Sequence, residues 1–336
     1  MKIAHIVIVN SHLSGLCESA RDLVMAERAL GEDARIIDPK KPLEGDFRGA
    51  PVVEASFADE CDIIINHSGL VGKGLDDTKK PIILAIHGRP RNSFLLEWNK
   101  KVPVYTILYR RGTDPRYVGF VTFWPEHLPF LKPLLPRDLH CAAPPVNLSE
   151  WVVDGPQHNF SDHAGDINVV VTDTWRDEKD PYYVVNAFLL FAEKHPGARL
   201  HLYAAPKAAR GYGLLMHILR ERGALGEVRG YVNNLAPVYR AADMMVTQIR
   251  CASRTVREAL ACGCQVVMGP GNKYTPYTTD AIDVEAFAET MDQAYRERSE
   301  APDAMRARNR QSAEKHFDPA ECARVFLKLA HDALQG

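Results

Sequence analysis

The sequence predicts an α/β protein built from two parallel-sheet domains. Three observations carry that expectation. Short β-branched runs alternate with helical patterns; the alternation breaks once and restarts; and at 336 residues the chain is long for one core, since roughly 150 residues per domain is a common length. In the first half the order runs "IAHIVIVN", the helix "SARDLVMAERALGE", "DIIIN" and a loop, "PIILAIHG", the helix "RNSFLLEWNKK", and "VPVYTILY" as a further strand. Continuous apolar strands separated by amphipathic helices are what a sheet covered on both faces requires.

The stretch "CAAPPVNLSEWVVDGPQHNFSDHAGD" breaks the periodicity with prolines, glycines and polar residues and reads as a connection. The alternation restarts at "INVVVTDT". It continues through the helix "YYVVNAFLLFAEKHP", the strand "RLHLYAA", the helix "YGLLMHILRERG", "EVRGYV", "LAPVYRAA", the strand "DMMVTQI", the helix "TVREALACG" and the strand "CQVVMG". Helices after Val284 and Pro319 close the chain. The expected division is an N-terminal domain over 1–150, a linker over 151–165 and a second domain over 166–315, with a cleft between the domains where strand ends collect ligands.

Apolar residues make up 46% and charged residues 25%, an ordinary globular composition that excludes disordered and fibrous classes. A net charge of −2 excludes a wholly basic protein. Seven cysteines without a CxxC pair fit reduced thiols, and no zinc spacing occurs. The first apolar run is too short for a signal segment, and no stretch nears the roughly 18 apolar residues of a membrane span. A cytoplasmic location is the expectation.

"GLVGKG" (69–74) lacks the Ser or Thr of a phosphate loop and reads as a turn, and no Asp-x-Asp pair offers a metal-held diphosphate site. No metal is therefore expected, and a diphosphate would rely on helix dipoles and basic side chains. "IRCASRTVREALACGC" (249–264) supplies them: a tight turn leads into a helix that Ser253 or Thr255 can cap, with Arg250 and Arg254 at its positive end. Glu258, one turn in, suits a vicinal diol such as a ribose, or it pairs with Arg254 at i,i+4 on a solvated face. Arg257 is expected to face solvent.

"GEVRGYVNNLAPVYRAADMMVTQIRCASRTVREALACGCQVV" resembles the donor half of the GT-B glycosyltransferases of the large retaining family 4. The resemblance extends over nearly the whole chain, through "SGLCESARDLVMAERALGEDARII", "DIIINHSG", "PIILAIHG", "EKDPYYVVNAFLLFAEKHPGARLHLY" and "KHFDPAECARVFLKLAHDAL". It implies two Rossmann-like α/β domains facing a central cleft, with the helix over 316–336 packing back on the N-domain. It also implies a nucleotide-sugar co-substrate, a UDP-sugar, rather than a resident cofactor.

By the same resemblance Glu258 would bind the ribose, Lys179 with Arg176 would neutralise the diphosphate, and amides around Ser253, Arg254 and Thr255 would cradle it. Tyr231 to Asn233 would flank the base. Gly15 would admit substrate at the first loop, and His87 would stand beside the reacting sugar, as base or as orienting group; His67, also ending a strand, joins the acceptor side. Three positions depart from the family pattern. Arg250 stands where a glutamate for the donor sugar is expected, Thr174 where an arginine is common, and Gln265 where a proline is.

Residues 79–117 hold nine basic residues against two acidic ones, Arg89, Arg91, Arg110 and Arg111 among them. Their interleaving with Phe94, Trp98, Tyr105, Tyr109 and Tyr117 suits an anionic acceptor. That acceptor is either nucleic acid, as in sugar transfer to a hydroxymethylated base in DNA, or a glycolipid or polysaccharide, with "FWPEHLPFLKPLL" dipping into a membrane surface. A solvated helix face over core aromatics is the plain alternative. The functional expectation is a metal-independent glycosyltransferase, a hexosyl- or pentosyltransferase; the rivals are a nucleotide-sugar epimerase of the same shape and a degenerate nucleotide-binding protein.

Overall fold

A computed structural model describes residues 1–9, 15–40, 45–67, 78–87, 104–125, 128–135, 137–160, 165–173, 175, 181–203 and 212–335. The chain divides into two units, Met1–Asn147 with Phe317–Gly336, and Leu148–His316.

In the first unit, β1 (Lys2–Ile6) leads to α1 (Gly15–Ala29), β2 (Asp33–Ile37), the short β3 (Gly45–Phe47) and β4 (Ala50–Val53). Next come α2 (Phe57–Glu60), β5 (Ile63–Asn66), β6 (Ile82–Ile86), α3 (Val104–Thr113), β7 (Tyr117–Thr122), α4 (Leu128–Leu131) and β8 (Leu139–Cys141). The strand order is β3-β4-β2-β1-β5-β6-β7-β8, parallel throughout except for β3 against β4. Every residue of β5 and β6 is buried, as a sheet covered on both faces demands.

The expectation of a strand at "VPVYTILY" is corrected: Val104–Thr113 is helical. Its exposure repeats at the helical period, with Leu108 and Gly112 buried while Tyr109, Arg110 and Thr113 are exposed. A short run of mostly apolar and aromatic residues does not by itself separate strand from helix. The strand beside β6 is instead "YVGFVT". The helix expected at "RNSFLLEWNKK" and the turn expected at "GLVGKG" lie outside the described residues.

The closing helix, Pro319–Gln335, packs on α1 and buries Cys322, Ala323, Phe326, Leu327 and Ala330. That cover explains why α1 carries buried charges. Arg21 donates to Asp22 from both Nε and a terminal nitrogen at 2.9 and 2.5 Å, and the other Asp22 oxygen accepts the Asn147 amide at 3.0 Å.

The second unit begins with an extended stretch and then runs β9 (Ile167–Val171), α5 (Pro181–Lys194), β10 (Ala198–Leu202), α6 (Gly213–Glu221) and β11 (Leu225–Val228). It continues with α7 (Ala236–Ala241), β12 (Met244–Val246), α8 (Arg254–Ala261), β13 (Val266–Val267), α9 (Val284–Glu300) and α10 (Pro302–Phe317). The sheet is parallel in the order β11-β10-β9-β12-β13. Phe188, Phe191, Leu219, Phe287 and Met291 fill its core.

The stretch after Asn147 is anchored to this unit. Trp151 and Phe160 are buried, Arg240 donates to the Val152 and Pro156 carbonyls at 2.9 and 3.1 Å, and Arg310 donates to those of Leu148, Trp151 and Ala261. Gln265, which stands where the resembled pattern has a proline, is fully buried. Its amide nitrogen donates to Ala294 O and Glu297, and its oxygen accepts from Arg308 and Asn309, so the start of β13 is stitched to α9 and α10. At the end of α8, Gly263 turns the chain at φ 74°, a conformation that favours glycine, and its amide bonds Leu260 O at 2.9 Å.

Phe188 is fully buried, so Phe188→Ala should cost about 3–5 kcal/mol in equilibrium denaturation, the range for emptying a packed aromatic site.

Candidate functional site

In the second unit β9 lies centrally, between β10 and β12, so the strand order reverses between β9 and β12 and leaves a gap beyond their carboxyl ends. Asp173, just past β9, and Thr247, just past β12, meet there. Thr247 Oγ1 donates to Asp173 Oδ2 at 2.5 Å and Thr255 Oγ1 to Asp173 Oδ1 at 3.3 Å. Two strand ends and the first turn of α8 are thereby joined through one buried carboxylate. A small hollow beside it is lined by Val171, Trp175, Pro181, Val184 and Gln248 as well as Asp173 and Thr247.

Ser253 occupies the position before α8, but its hydroxyl bonds Thr255 Oγ1 at 3.0 Å instead of capping a backbone amide. Arg254 Nε donates to Glu258 Oε1 at 2.5 Å, with only 9% and 8% of the two side chains exposed. The i,i+4 pair therefore forms, but inside the unit and not on a solvated face. Tyr239 lies against this pair: burial and then the Glu258 charge push its phenol well above its ordinary range, and its hydroxyl donates to Thr172 Oγ1 at 3.1 Å.

Arg257, expected to face solvent, is 3% exposed and turns back toward the Ser253 carbonyl. Its position on α8 faces protein because the helix is covered on nearly every side. Arg250 is exposed and holds Asp280 at 2.6 Å. Tyr231 and Asn233 follow β11 and are exposed. Arg176 and Lys179 lie outside the described residues.

The first unit repeats the arrangement, with β1 between β2 and β5 and an order reversal at β1 and β5. Here the structure brings together four side chains, two of which sequence reasoning missed. Glu27 on α1 bonds His5 Nε2 at 2.6 Å, His5 Nδ1 bonds His67 Nε2 at 3.0 Å, and His67 Nδ1 bonds His87 Nε2 at 2.8 Å. Glu27, His5 and His67 are buried, whereas His87 is half-buried at the carboxyl end of β6. His67, expected on the acceptor side, therefore stands behind His87 with both ring nitrogens engaged. Phe123 packs on the His87 ring with centroids 4.5 Å apart, and Trp124 Nε1 donates to the His87 carbonyl at 3.1 Å.

Burial lowers the His5 pKa to about 3 and, with the neighbouring His5, holds His67 well below the ordinary imidazole value. Burial, and then the Glu32 charge, raise Glu27 well above the ordinary carboxylate value. His5 sits in an apolar strand where alternation alone gives no hint of chemistry. The only signal in the sequence was a histidine within the first strand run and one just past each of two later ones; that these strands pair side by side is shown by the sheet order.

Of the residues expected to bind the acceptor, Gly15 starts α1 and is exposed, Arg110 is exposed on α3, and the Arg111 guanidinium lies 5.6 Å from the Tyr117 ring centroid. Arg89 and Arg91 lie outside the described residues. The membrane-dipping expectation for "FWPEHLPFLKPLL" is corrected where the side chains are described. Phe123, Trp124, Leu131 and Leu135 are buried, and of the segment's described Phe, Trp and Leu side chains Phe130 alone is exposed. Among the described residues, no helix is long and apolar enough to cross a membrane.

No model of a known protein family matches the chain, and no curated protein matches it. Solved structures do. Sucrose-phosphate synthase from Thermosynechococcus elongatus matches at TM-score 0.73 and 14% identity over 99% of both chains. Anabaena HepE in complex with UDP and glucose matches at 0.70 and 13% over 98% of both. An alpha-glucosyltransferase in complex with UDP-glucose and DNA matches at 0.68 and 12%, over 98% of this chain and 99% of the other. The fold is that of the GT-B glycosyltransferases. Identities this low speak for the fold alone, which accommodates the order reversal of each sheet.

Below the ordinary imidazole pKa, the unfolded chain protonates His5 and His67 but the native state does not. Their stabilisation is complete above pH 6.5 and is lost as pH falls. Glu27, with its pKa raised, works oppositely: its contribution is complete below pH 4.5 and is lost as pH rises. Between pH 6 and 5 the two imidazoles outweigh the one carboxyl. Denaturation free energy should fall about 1.4 kcal/mol per pH unit more steeply in the parent than in His67→Asn, which deletes one of the two protons.

Proposed function

We propose that the protein is a metal-independent glycosyltransferase that moves a sugar from a nucleotide donor, a UDP-sugar, to an anionic acceptor, with retention of anomeric configuration. Residues 148–316 are assigned the donor and the first unit the acceptor. The observation that carries the reading is Glu258, a carboxylate buried one turn inside α8 and held by Arg254 at the helix's positive end. In this reading the carboxylate accepts from the ribose diol, the amides at the start of α8 face the diphosphate, and Lys179 with Arg176 adds positive charge. Fixed donors aimed at a departing diphosphate stabilise the charge that develops as the glycosidic bond breaks.

Support comes from the fold shared with HepE, which holds UDP and glucose, and with the alpha-glucosyltransferase, which holds UDP-glucose and DNA. Arg250 is already neutralised by Asp280, so the departure at that position fits a donor sugar met by hydrogen bonds and not by a buried glutamate. On the acceptor side, the burial of Phe123 and Trp124 removes the argument for shallow membrane insertion, while exposed Arg110 keeps the argument for a phosphate backbone.

A thermal-shift series with nucleoside diphosphates and UDP-glucose tests the donor assignment. At 100 times its dissociation constant a ligand adds about 2.7 kcal/mol. Glu258→Gln keeps a hydrogen bond to Arg254 and should weaken UDP binding by about 10- to 100-fold, the worth of a charged hydrogen bond of about 1.5–3 kcal/mol. No shift with any nucleotide, or equal shifts in the two proteins, would remove the donor site from α8. For the acceptor, duplex DNA should bind with an affinity that drops steeply between 50 and 200 mM salt, an expectation that follows from counterion release. Binding indifferent to salt overturns the nucleic-acid branch.

A further inference from the structure

The geometry points to a one-way hydrogen-bond chain in which Glu27, His5 and His67 are positioning residues that hold the His87 proton on Nδ1, so that His87 meets substrate as a donor. This deepens the functional reading above and rests on it for the identity of the substrate, but not for the proton's place.

The sense of such a chain is all-or-none. A neutral imidazole has one N–H and one lone pair, so each ring that donates on one side must accept on the other. The bonds run Glu27 to His5 Nε2, His5 Nδ1 to His67 Nε2, and His67 Nδ1 to His87 Nε2. If His5 Nδ1 carries a proton, His67 accepts at Nε2 and donates from Nδ1, and His87 accepts at Nε2 and keeps its proton on Nδ1. If His5 Nδ1 is bare, every ring reverses.

The Glu27–His5 pair decides between these. A neutral acid donates to His5 Nε2 and leaves the imidazole proton on Nδ1. A carboxylate paired with an imidazolium also leaves a proton on Nδ1. Only a carboxylate beside a neutral imidazole reverses the chain, and that state buries a net negative charge where both side chains are 0% exposed. The surroundings oppose it further. Glu27 Oε1 is buried without a hydrogen-bond partner among the described residues, tolerable for a carbonyl and costly for an anion. The nearby charge is Glu32, like in sign, and the Met1 ammonium and His331 face Glu32 itself, at 2.7 and 3.9 Å.

The consequence falls on the exposed end. Free imidazole side chains in water favour the proton on Nε2, so the chain imposes the opposite arrangement on His87. With Nδ1 protonated, His87 hydrogen-bonds a sugar or phosphate oxygen and orients it; it does not take a proton there. The Phe123 ring and the Trp124 indole, which holds the His87 carbonyl, keep that ring in place.

Long-range proton–nitrogen correlation spectra of the full chain labelled with 15N-histidine read the proton directly, with His87 assigned by the signal lost in His87→Asn. The parent protein should show His87 protonated on Nδ1 and bare on Nε2, a measurement that needs no variant to fold. Glu27→Gln, whose amide donates to His5 as the acid does, should retain this pattern. Glu27→Leu should turn His5, His67 and His87 to the Nε2–H form. A parent His87 carrying its proton on Nε2, or a Glu27→Leu spectrum unchanged at His87, overturns the inference. UDP-glucose hydrolysis serves as the second readout: kcat should fall at least tenfold in Glu27→Leu with KM nearly constant and be restored in Glu27→Gln, and equal loss in both overturns a positioning role. Absence of any turnover in the parent, with the expected spectrum, would instead overturn the functional reading and leave the proton's place established.

Discussion

Parallel pairing on both sides of a central first strand is the constraint from which both candidate centres follow. β1 is flanked by β2 and β5, and β9 by β10 and β12. Connections to strands on opposite sides of each first strand then diverge at the carboxyl ends. Side chains placed one or two residues past those ends meet across the gap without any special loop. Asp173 with Thr247 spans that gap in one unit; in the other, His5 on β1 and His67 past β5 lie on either side of it, and His87 joins from the end of the neighbouring β6.

The two centres use burial in different ways. Around α8 the buried charges are paired: Arg254 offsets Glu258, and the helix start supplies further positive potential. In the histidine thread of the first unit the buried groups avoid charge, because among the described residues the charge that acts on Glu27 is Glu32, like in sign. A carboxyl with its pKa raised and two imidazoles with theirs lowered form a polar thread that is neutral along its length. One centre suits an anionic group brought from outside, and the other suits directional hydrogen bonding.

The α/β class and the alternation of elements were legible because parallel strands buried on both faces leave unbroken apolar runs, as in "IIIN" and "IILAI". Where the run was long and aromatic, at Val104–Thr113, hydrophobicity alone did not decide the period. The three-residue β3 carries too few residues to show any period. At the site, the Arg254–Glu258 spacing was visible, but its burial was not, since that depends on what covers α8. Asp173 and His5 were unreadable for a related reason: their partners are 74 and 62 residues away, and only strand order brings them together.

Gln265 carries a different lesson. It stands where the pattern that the sequence resembles has proline, yet the structure gives it a role of its own. Its amide is a four-way junction for Ala294, Glu297, Arg308 and Asn309, all inside the unit. Proline would supply none of those bonds and would strand the groups that now depend on them. In this chain proline at 265 would be the disruptive residue. One buried amide that serves two helices at once makes the identity of residue 265 answerable to this chain's own packing, so the position is fixed by its four partners and not by a consensus.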